Sequence, residues 1–314
     1  MGKNSAIEWC HHTFNPWVGC TKVSPGCDGC YAEAWAKRTG HPELWDGERR
    51  LTSKSNWAQP EKWHHEAEAA GERRRVFCAS LADVFDNKVP WEWRANLWTL
   101  IRRTWNLDWL LLTKRPMNID EMLPAHWGDG YHNVWLGTTA EDAHYYRQRW
   151  GHLAAIPARV RFLSHEPALG PIGNLDLGRV GAPDWVICGG ESGPNARPMH
   201  PDWARSARDQ CKAAGVPFLF KQWGEFRLAD DSEIPEQFGT GCAQFRVMCS
   251  NGFVGEMNLA SAFLHKPSRW PQCFPGGEEA DASCEGAYMR RVGKRAAGRL
   301  LDGVLHDGYP LVQA

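Results

Sequence analysis

Three cysteines of the 314-residue chain fall in one short stretch, Gly19-Cys20-Thr21-Lys22-Val23-Ser24-Pro25-Gly26-Cys27-Asp28-Gly29-Cys30-Tyr31, spaced C-x6-C-x2-C. Thiolates held this close repel one another unless a cation sits among them. A loop this short does not easily satisfy all three by disulfides, so a metal centre is the natural reading. Three thiolates leave one coordination position open, whether the metal is zinc or an iron of a cubane cluster. The competing reading is a structural zinc knuckle whose fourth ligand comes from Cys10, His11, His12 or His41. Spacing alone leaves zinc and iron–sulfur equally open.

The loop needs elements to carry it. Helical patterning begins at once with Tyr31-Ala32-Glu33-Ala34-Trp35-Ala36-Lys37. Residues 40 to 75 then read as polar and irregular, with a charged, solvated helix over Glu61 to Arg75. Short apolar runs of strand length follow at Arg75–Ser80, Asp108–Thr113, His132–Gly137, Arg159–Ser164, Asp184–Gly189 and Val216–Lys221. Their recurrence at roughly 25 to 33 residues suits a βα repeat. Between them, Pro90 to Trp105 opens with proline at a helix N-terminus and carries Trp93, Leu97, Leu100, Ile101 and Trp105 at helical spacing. Pro201 to Ala214 is a second clear helix, ended by Gly215. Continuous apolar strands alternating with helices imply a parallel sheet covered on both faces. With Phe14-Asn15-Pro16-Trp17-Val18-Gly19 as a first strand, the expected fold is α/β, a partial or near-complete (β/α) barrel of six or seven parallel strands.

Such barrels build their sites at the C-terminal ends of the strands. The residues expected there are polar: Ser80 with Asp83, Thr113-Lys114-Arg115, Thr138-Thr139-Ala140-Glu141, Ser164-His165-Glu166-Pro167, Gly189-Gly190-Glu191-Ser192-Gly193 and Lys221-Gln222-Trp223. Ser80, Asp83 and Thr138 serve equally well as helix caps. Lys114, Glu166, Glu191 and Lys221 follow apolar strands directly and are the stronger site candidates. Two other motifs are excluded. The Gly189–Gly193 run has neither dinucleotide nor P-loop spacing. Ser164-His165-Glu166 is no hydrolase triad, because neighbours on a strand end point to opposite faces.

Composition sets the outer bounds. Hydrophobic residues make up 43% and charged residues 23%, as in soluble globular proteins. No apolar run approaches a membrane span, and the N-terminus lacks the apolar core of a signal peptide, so a cytoplasmic protein is expected. Eleven cysteines, an odd count, do not suggest a disulfide scaffold in a chain this long. With a net charge of −1, nucleic-acid contact must come from a local patch. Most of the eighteen tryptophans are expected in the core. The division expected is a core over 1–223, an irregular insertion or lid over 224–286, and a basic C-terminal helix over 287–314. The insertion holds Cys242, Cys249, Cys273 and Cys284 without a C-x2-C pair, and scattered buried thiols are favoured over a second metal. The basic helix rests on Arg290, Arg291, Lys294, Arg295 and Arg299.

A cysteine triad after the first strand of a βα barrel resembles the radical S-adenosylmethionine (SAM) superfamily. Asn15–Cys20, Cys30-Tyr31-Ala32-Glu33, Leu112–Pro116, Arg161–Pro167, Gly189–Pro194 through Met199-His200-Pro201, and Phe220–Glu225 sharpen the match. Together they resemble a phage and prophage family of radical SAM proteins with this C-x6-C-x2-C variant, distantly similar to spore photoproduct lyase. The superfamily pattern is C-x3-C-x2-C with an aromatic before the last cysteine. Here the first gap is longer, Gly29 precedes Cys30 and Tyr31 follows it.

The resemblance implies that Cys20, Cys27 and Cys30 hold a 4Fe–4S cluster whose fourth iron binds SAM. SAM cleavage would give methionine and a 5′-deoxyadenosyl radical that abstracts a substrate hydrogen. The cofactor supplies that chemistry, while the protein supplies orientation and exclusion of water. By rim position, Lys114 and Lys221 are candidates for the SAM carboxylate or a substrate phosphate, and Glu166 and Glu191 for the ribose or the methionine amine. Tyr31, Ser80, Thr113, Ser164, Gly189 and Gly190 complete the cofactor-binding set. Phage members of the family look like enzymes of thymine hypermodification. The implied reaction rearranges glycyl-modified thymidine in DNA, moving the link from the glycine nitrogen to its α-carbon. A lyase acting on another nucleobase or lesion is the alternative enzyme. A zinc-stabilised binding protein without catalysis is the alternative outside enzymes. The implied partners are DNA or a modified nucleotide and an electron donor such as flavodoxin or ferredoxin, with no membrane.

Overall fold

The structure is a computed structural model, and it describes residues 2–233, 244–249, 254–256 and 286–311. Seven strands form one parallel sheet: β1 (His12–Phe14), β2 (Arg74–Cys78), β3 (Leu107–Thr113), β4 (Val134–Thr139), β5 (Val160–His165), β6 (Trp185–Gly189) and β7 (Phe218–Gln222). Their spatial order equals their chain order, and every neighbouring pair is parallel. A doubly wound sheet reverses order at a switch point; this one never does, so it winds as a barrel wall. β1 and β7 are not paired, so the wall is a partial barrel.

Each strand is apolar on both faces, as the sequence runs imply. Cys78, Trp109, Leu111, Leu136, Leu163, Val186 and Phe220 face the helices in one core. The alternate positions Phe77, Leu110, Trp135, Phe162, Ile187 and Leu219 fill the concave face in another. A Cβ on Gly137 would overlap the Phe162 ring, so glycine makes room for that aromatic. Trp9, from the segment before β1, plugs the concave face, with its ring centroid 4.4 Å from that of Phe77. The longer helices are α1 (Tyr31–Arg38), α2 (Gln59–Ala70), α3 (Trp91–Arg103), α4 (Ala143–Ala154) and α5 (Pro201–Ala214). Gly215 ends α5 in the left-handed conformation at φ 68°.

Several expectations are corrected. The first strand does not run from Phe14 to Gly19. Pro16 has no N–H for the ladder, so β1 stops at Phe14, and Trp17–Val18 turns away to pair with Arg50–Leu51. The helix expected over Glu61 to Arg75 runs from Gln59 to Ala70 and is not simply solvated. Trp63 and Ala67, four residues apart, bury one face. Trp105 lies beyond the end of α3. Residues 224–286 are not irregular throughout, since β8 (Phe226–Leu228), β9 (Phe245–Cys249) and β10 (Val254–Glu256) join β11 (Gly286–Arg291) in an antiparallel sheet of order β8-β11-β9-β10. Of the four cysteines noted there, Cys249 is buried in β9, and the other three lie outside the described residues. The basic stretch is no long helix. Gly293 and Gly298, at φ 86° and 73°, confine helix to Lys294–Ala297. A tight hairpin of Leu300–Leu301 with Val304–Leu305 follows.

Candidate metal centre and cavity

The Cys loop leaves β1 at its C-terminal end and is fixed at each turn. The Gly19 N–H donates to Leu81 O at 3.1 Å, and the Cys20 N–H to Leu44 O at 3.1 Å. Gly19 sits at φ 112°, and a Cβ there would come within 2.5 Å of Glu48 O. Pro25–Cys27 forms one helical turn, and Cys30 is the N-cap of α1.

Two buried carboxylates hold the underside of the loop. Glu141 accepts from Ser24 Oγ at 2.5 Å and pairs with Arg149 at 2.9 Å. Glu191 accepts from the Arg197 N–H at 2.9 Å and from its guanidinium at 2.8 and 2.7 Å. The Arg197 guanidinium also donates to Pro25 O in the loop at 2.8 Å. Gly26 lies so close to Glu141, and Gly29 to Glu191, that a Cβ at either would overlap the carboxylate. The glycines between the cysteines are thus docking points.

On the other side stands Arg115, at the end of β3. Its Nη1 donates to Cys20 Sγ at 3.6 Å and to Asp83 at 3.0 Å, and its Nη2 donates to Thr21 O at 2.7 Å. Asp83 is held in turn by the Thr113 hydroxyl at 2.7 Å and the Lys114 N–H at 3.1 Å. Burial, with Asp83 nearby, pushes the Cys20 thiol up to about 11, against the pull of Arg115. Metal coordination would deprotonate such a thiol.

Above the loop opens a cavity of about 430 Å³. Its wall contains Cys20, Cys27, Cys30, Tyr31, Ser80, Thr113, Lys114, Ser164, Glu166, Gly190, Glu191 and Lys221, so twelve of the thirteen candidate residues meet in one place. Gly189 is the exception, lying behind Glu166, whose Oε1 would be 2.7 Å from a Cβ on that glycine. Lys221 and Glu166 form an ion pair at 2.8 Å. Burial works against the Lys221 ammonium, but Glu166 overrides it and holds the lysine above its ordinary pKa. The Tyr31 hydroxyl donates to Ser80 O at 2.5 Å. Glu191 is not a free carboxylate for a ligand amine, because Arg197 already engages both its oxygens.

Residues missing from the sequence-based set are Arg115, Glu141, Arg197, Glu8 and Trp9. The first two stand in strand-end runs that the βα pattern singles out. Glu8 and Trp9 line the cavity from a segment with no periodic signal. The Ser164 hydroxyl and the Gln222 side-chain carbonyl are buried in the wall without a protein partner. Cys10, His11, His12 and His41, the suggested fourth zinc ligands, lie outside this wall. His41 contacts Glu43 at 3.0 Å, and His11 accepts from the Arg75 N–H at 2.8 Å.

The donor set fits an iron–sulfur cluster better than a single ion. Among the described residues, the only three metal-ligating atoms of His, Cys, Asp or Glu mutually within 4.8 Å belong to His64, His65 and Glu68. The loop sulfurs are therefore more widely spread. A tetrahedral zinc with bonds of about 2.3 Å draws its sulfurs to about 3.8 Å from one another. A cubane gives each cysteine its own iron.

Among solved structures, the chain is similar to spore photoproduct lyase. Against a variant with bound AdoMet and dinucleoside spore photoproduct, identity is 13% and the TM-score 0.42, covering 72% of this chain and 59% of that one. Against the lyase complexed with dinucleoside spore photoproduct, identity is 12% and the TM-score 0.42, covering 68% and 64%. A further variant gives 11% identity and a TM-score of 0.45, covering 70% and 78%. The chain thus spans about three-fifths of the length of the first two. No curated protein matches it. A family model described as "Protein of unknown function (DUF5131)" matches residues 4–310, and the chain belongs to that family.

Proposed function

We propose that this chain is a radical SAM enzyme acting on a modified nucleobase. The observation that carries the reading is the Cys20–Cys27–Cys30 loop set over a cavity at the C-terminal ends of seven parallel strands. Cys20, Cys27 and Cys30 would hold the 4Fe–4S cluster, which with SAM supplies one-electron chemistry leading to a 5′-deoxyadenosyl radical. The rest falls to the protein. Glu141 and Glu191 seat the loop, and the Lys221–Glu166 pair offers a cation and an acceptor to a polar ligand. Trp9 and the strand residues close the floor against water, which a carbon radical requires. In its finest form the reading is isomerisation of N-linked to Cα-linked glycyl thymidine in DNA, with flavodoxin or ferredoxin as electron donor. A lyase acting on another base lesion is the second form.

Anaerobic reconstitution tests the proposal. The wild-type protein is expected to hold about four irons and four sulfides, and Cys27→Ala to lose them. Stoichiometric zinc with no reconstitutable cluster would sink the enzyme reading. With SAM and glycyl-modified DNA, a product of unchanged mass and altered retention marks the isomerase; a changed mass marks the lyase.

A further inference from the structure

Arg115 has a geometry that loop anchoring alone does not require. Its side chain is nearly buried, and its guanidinium spans three groups: the Cys20 sulfur at 3.6 Å, Asp83 at 3.0 Å and Thr21 O at 2.7 Å. Anchoring needs only the last. The contact to sulfur places a positive charge and an N–H donor on one of the three cysteines of the triad. Asp83 stands behind that charge, oriented by Thr113 and the Lys114 N–H. A neighbouring cation and its counter-ion therefore act on the same sulfur with opposite signs.

Resting on the radical SAM reading, we propose that Arg115 is a positioning residue that sets the reduction potential of the cluster held by Cys20, Cys27 and Cys30, with Asp83 as its counterweight. Reduction takes one electron from an external low-potential donor. It carries a 4Fe–4S cluster and its three thiolates from one net negative charge to two. The reduced form is the more negative one, so a cation hydrogen-bonded to a ligand sulfur stabilises it and raises the potential. A buried carboxylate nearby does the reverse. The Arg115 and Asp83 side chains are at most 10% exposed, so screening between them and the sulfur is weak and both effects would be felt at the cluster.

The two residues share one network, which makes the test sharp. Full-length wild type, Arg115→Leu and Asp83→Asn are reconstituted, assayed for iron and sulfide, and titrated electrochemically with EPR detection of the reduced cluster. Arg115→Leu removes the cation and leaves Asp83 facing the sulfur. Its equilibrium constant for reduction is expected to fall at least tenfold, about 59 mV for one electron. Asp83→Asn disturbs the same loop contacts but is expected to move the potential upward. A merely structural role predicts that both variants lose cluster together, or shift in the same direction or not at all; any of these overturns the proposal. Should Arg115→Leu assemble no cluster, the sign of the Asp83→Asn shift decides alone, upward in support and otherwise against. A wild type without iron and sulfide overturns the radical SAM reading itself. That outcome is read before any potential and is distinct from a cluster whose potential ignores both residues.

Discussion

At the scale of single residues, the site depends on close approaches that one extra atom would spoil. Gly29 is the clearest case. Its partner Glu191 cannot yield, because Arg197 holds both oxygens. Gly29→Ala is therefore expected to cost about 1–3 kcal/mol through overpacking and to lower iron content on reconstitution. Thermal unfolding and an iron assay check both. The Lys221–Glu166 pair makes a different kind of prediction. Lys221→Met strands a carboxylate whose side chain is 12% exposed, at an expected cost of about 2 kcal/mol. Lys221→Met with Glu166→Gln is expected to recover part of it. The lysine pKa lies above its unfolded value. The stabilisation is thus complete below the ordinary lysine value of about 10.4 and is lost as pH rises through the higher folded value. Wild type and the Lys221→Met variant are expected to converge in urea midpoint on the alkaline side; a gap independent of pH counts against the pair.

Elements were legible where burial is two-sided. Each central strand is apolar on both faces, so Asp108–Thr113 or Asp184–Gly189 stands out as a run. The polar residues beyond such runs then fall on the rim. What stayed hidden are contacts between distant parts of the chain. Ser24 meets Glu141 across 117 positions, and Arg115 meets Thr21 across 94. No local pattern encodes such pairings. The basic C-terminal stretch misled for another reason: its composition suits a helix, but Gly293 and Gly298 break it, and its hairpin docks on α5. There Asp302 pairs with Arg205 at 2.7 Å and Arg208 at 2.6 Å, which lowers the aspartate pKa to about 2. Its stabilisation is present above the unfolded value of about 3.9 and is lost as pH falls toward 2. With just over a third of each Arg205 and Asp302 side chain exposed, Asp302→Asn is expected to cost about 0.5–1 kcal/mol at neutral pH. The cost is expected to shrink as pH falls through 2, as urea midpoints at neutral and acid pH will show.

At the scale of the molecule, an open barrel wall has an exposed edge at β7, and the C-terminal segment covers it. The Phe220 N–H donates to His306 O and the Gly308 N–H to Phe218 O, each at 2.9 Å. Removing residues 304–314 uncovers an apolar edge strand. The truncated chain is expected to unfold several degrees lower, by about 5 °C per 2 kcal/mol, and to aggregate with rising concentration in light scattering. Full stability without the segment would show that the edge needs no cover.

The same segment does more than cover an edge. The Tyr309 hydroxyl donates to Glu8 O at 2.8 Å across 301 positions, and Arg75 lies over the Tyr309 ring. The floor of the cavity, where Glu8 lies, is thus braced by a residue 301 positions away. During synthesis β1, the Cys loop and most of the wall emerge long before Tyr309 does, and contacts of such sequence separation form late in folding. A nascent chain therefore displays its three thiols over a chamber without a finished base. A metal delivered at that stage would meet water from below, whereas one delivered once Tyr309 has docked would meet a finished floor. Whether the floor closes before or after a metal could arrive is, on this architecture, a property of where Tyr309 lies in the sequence.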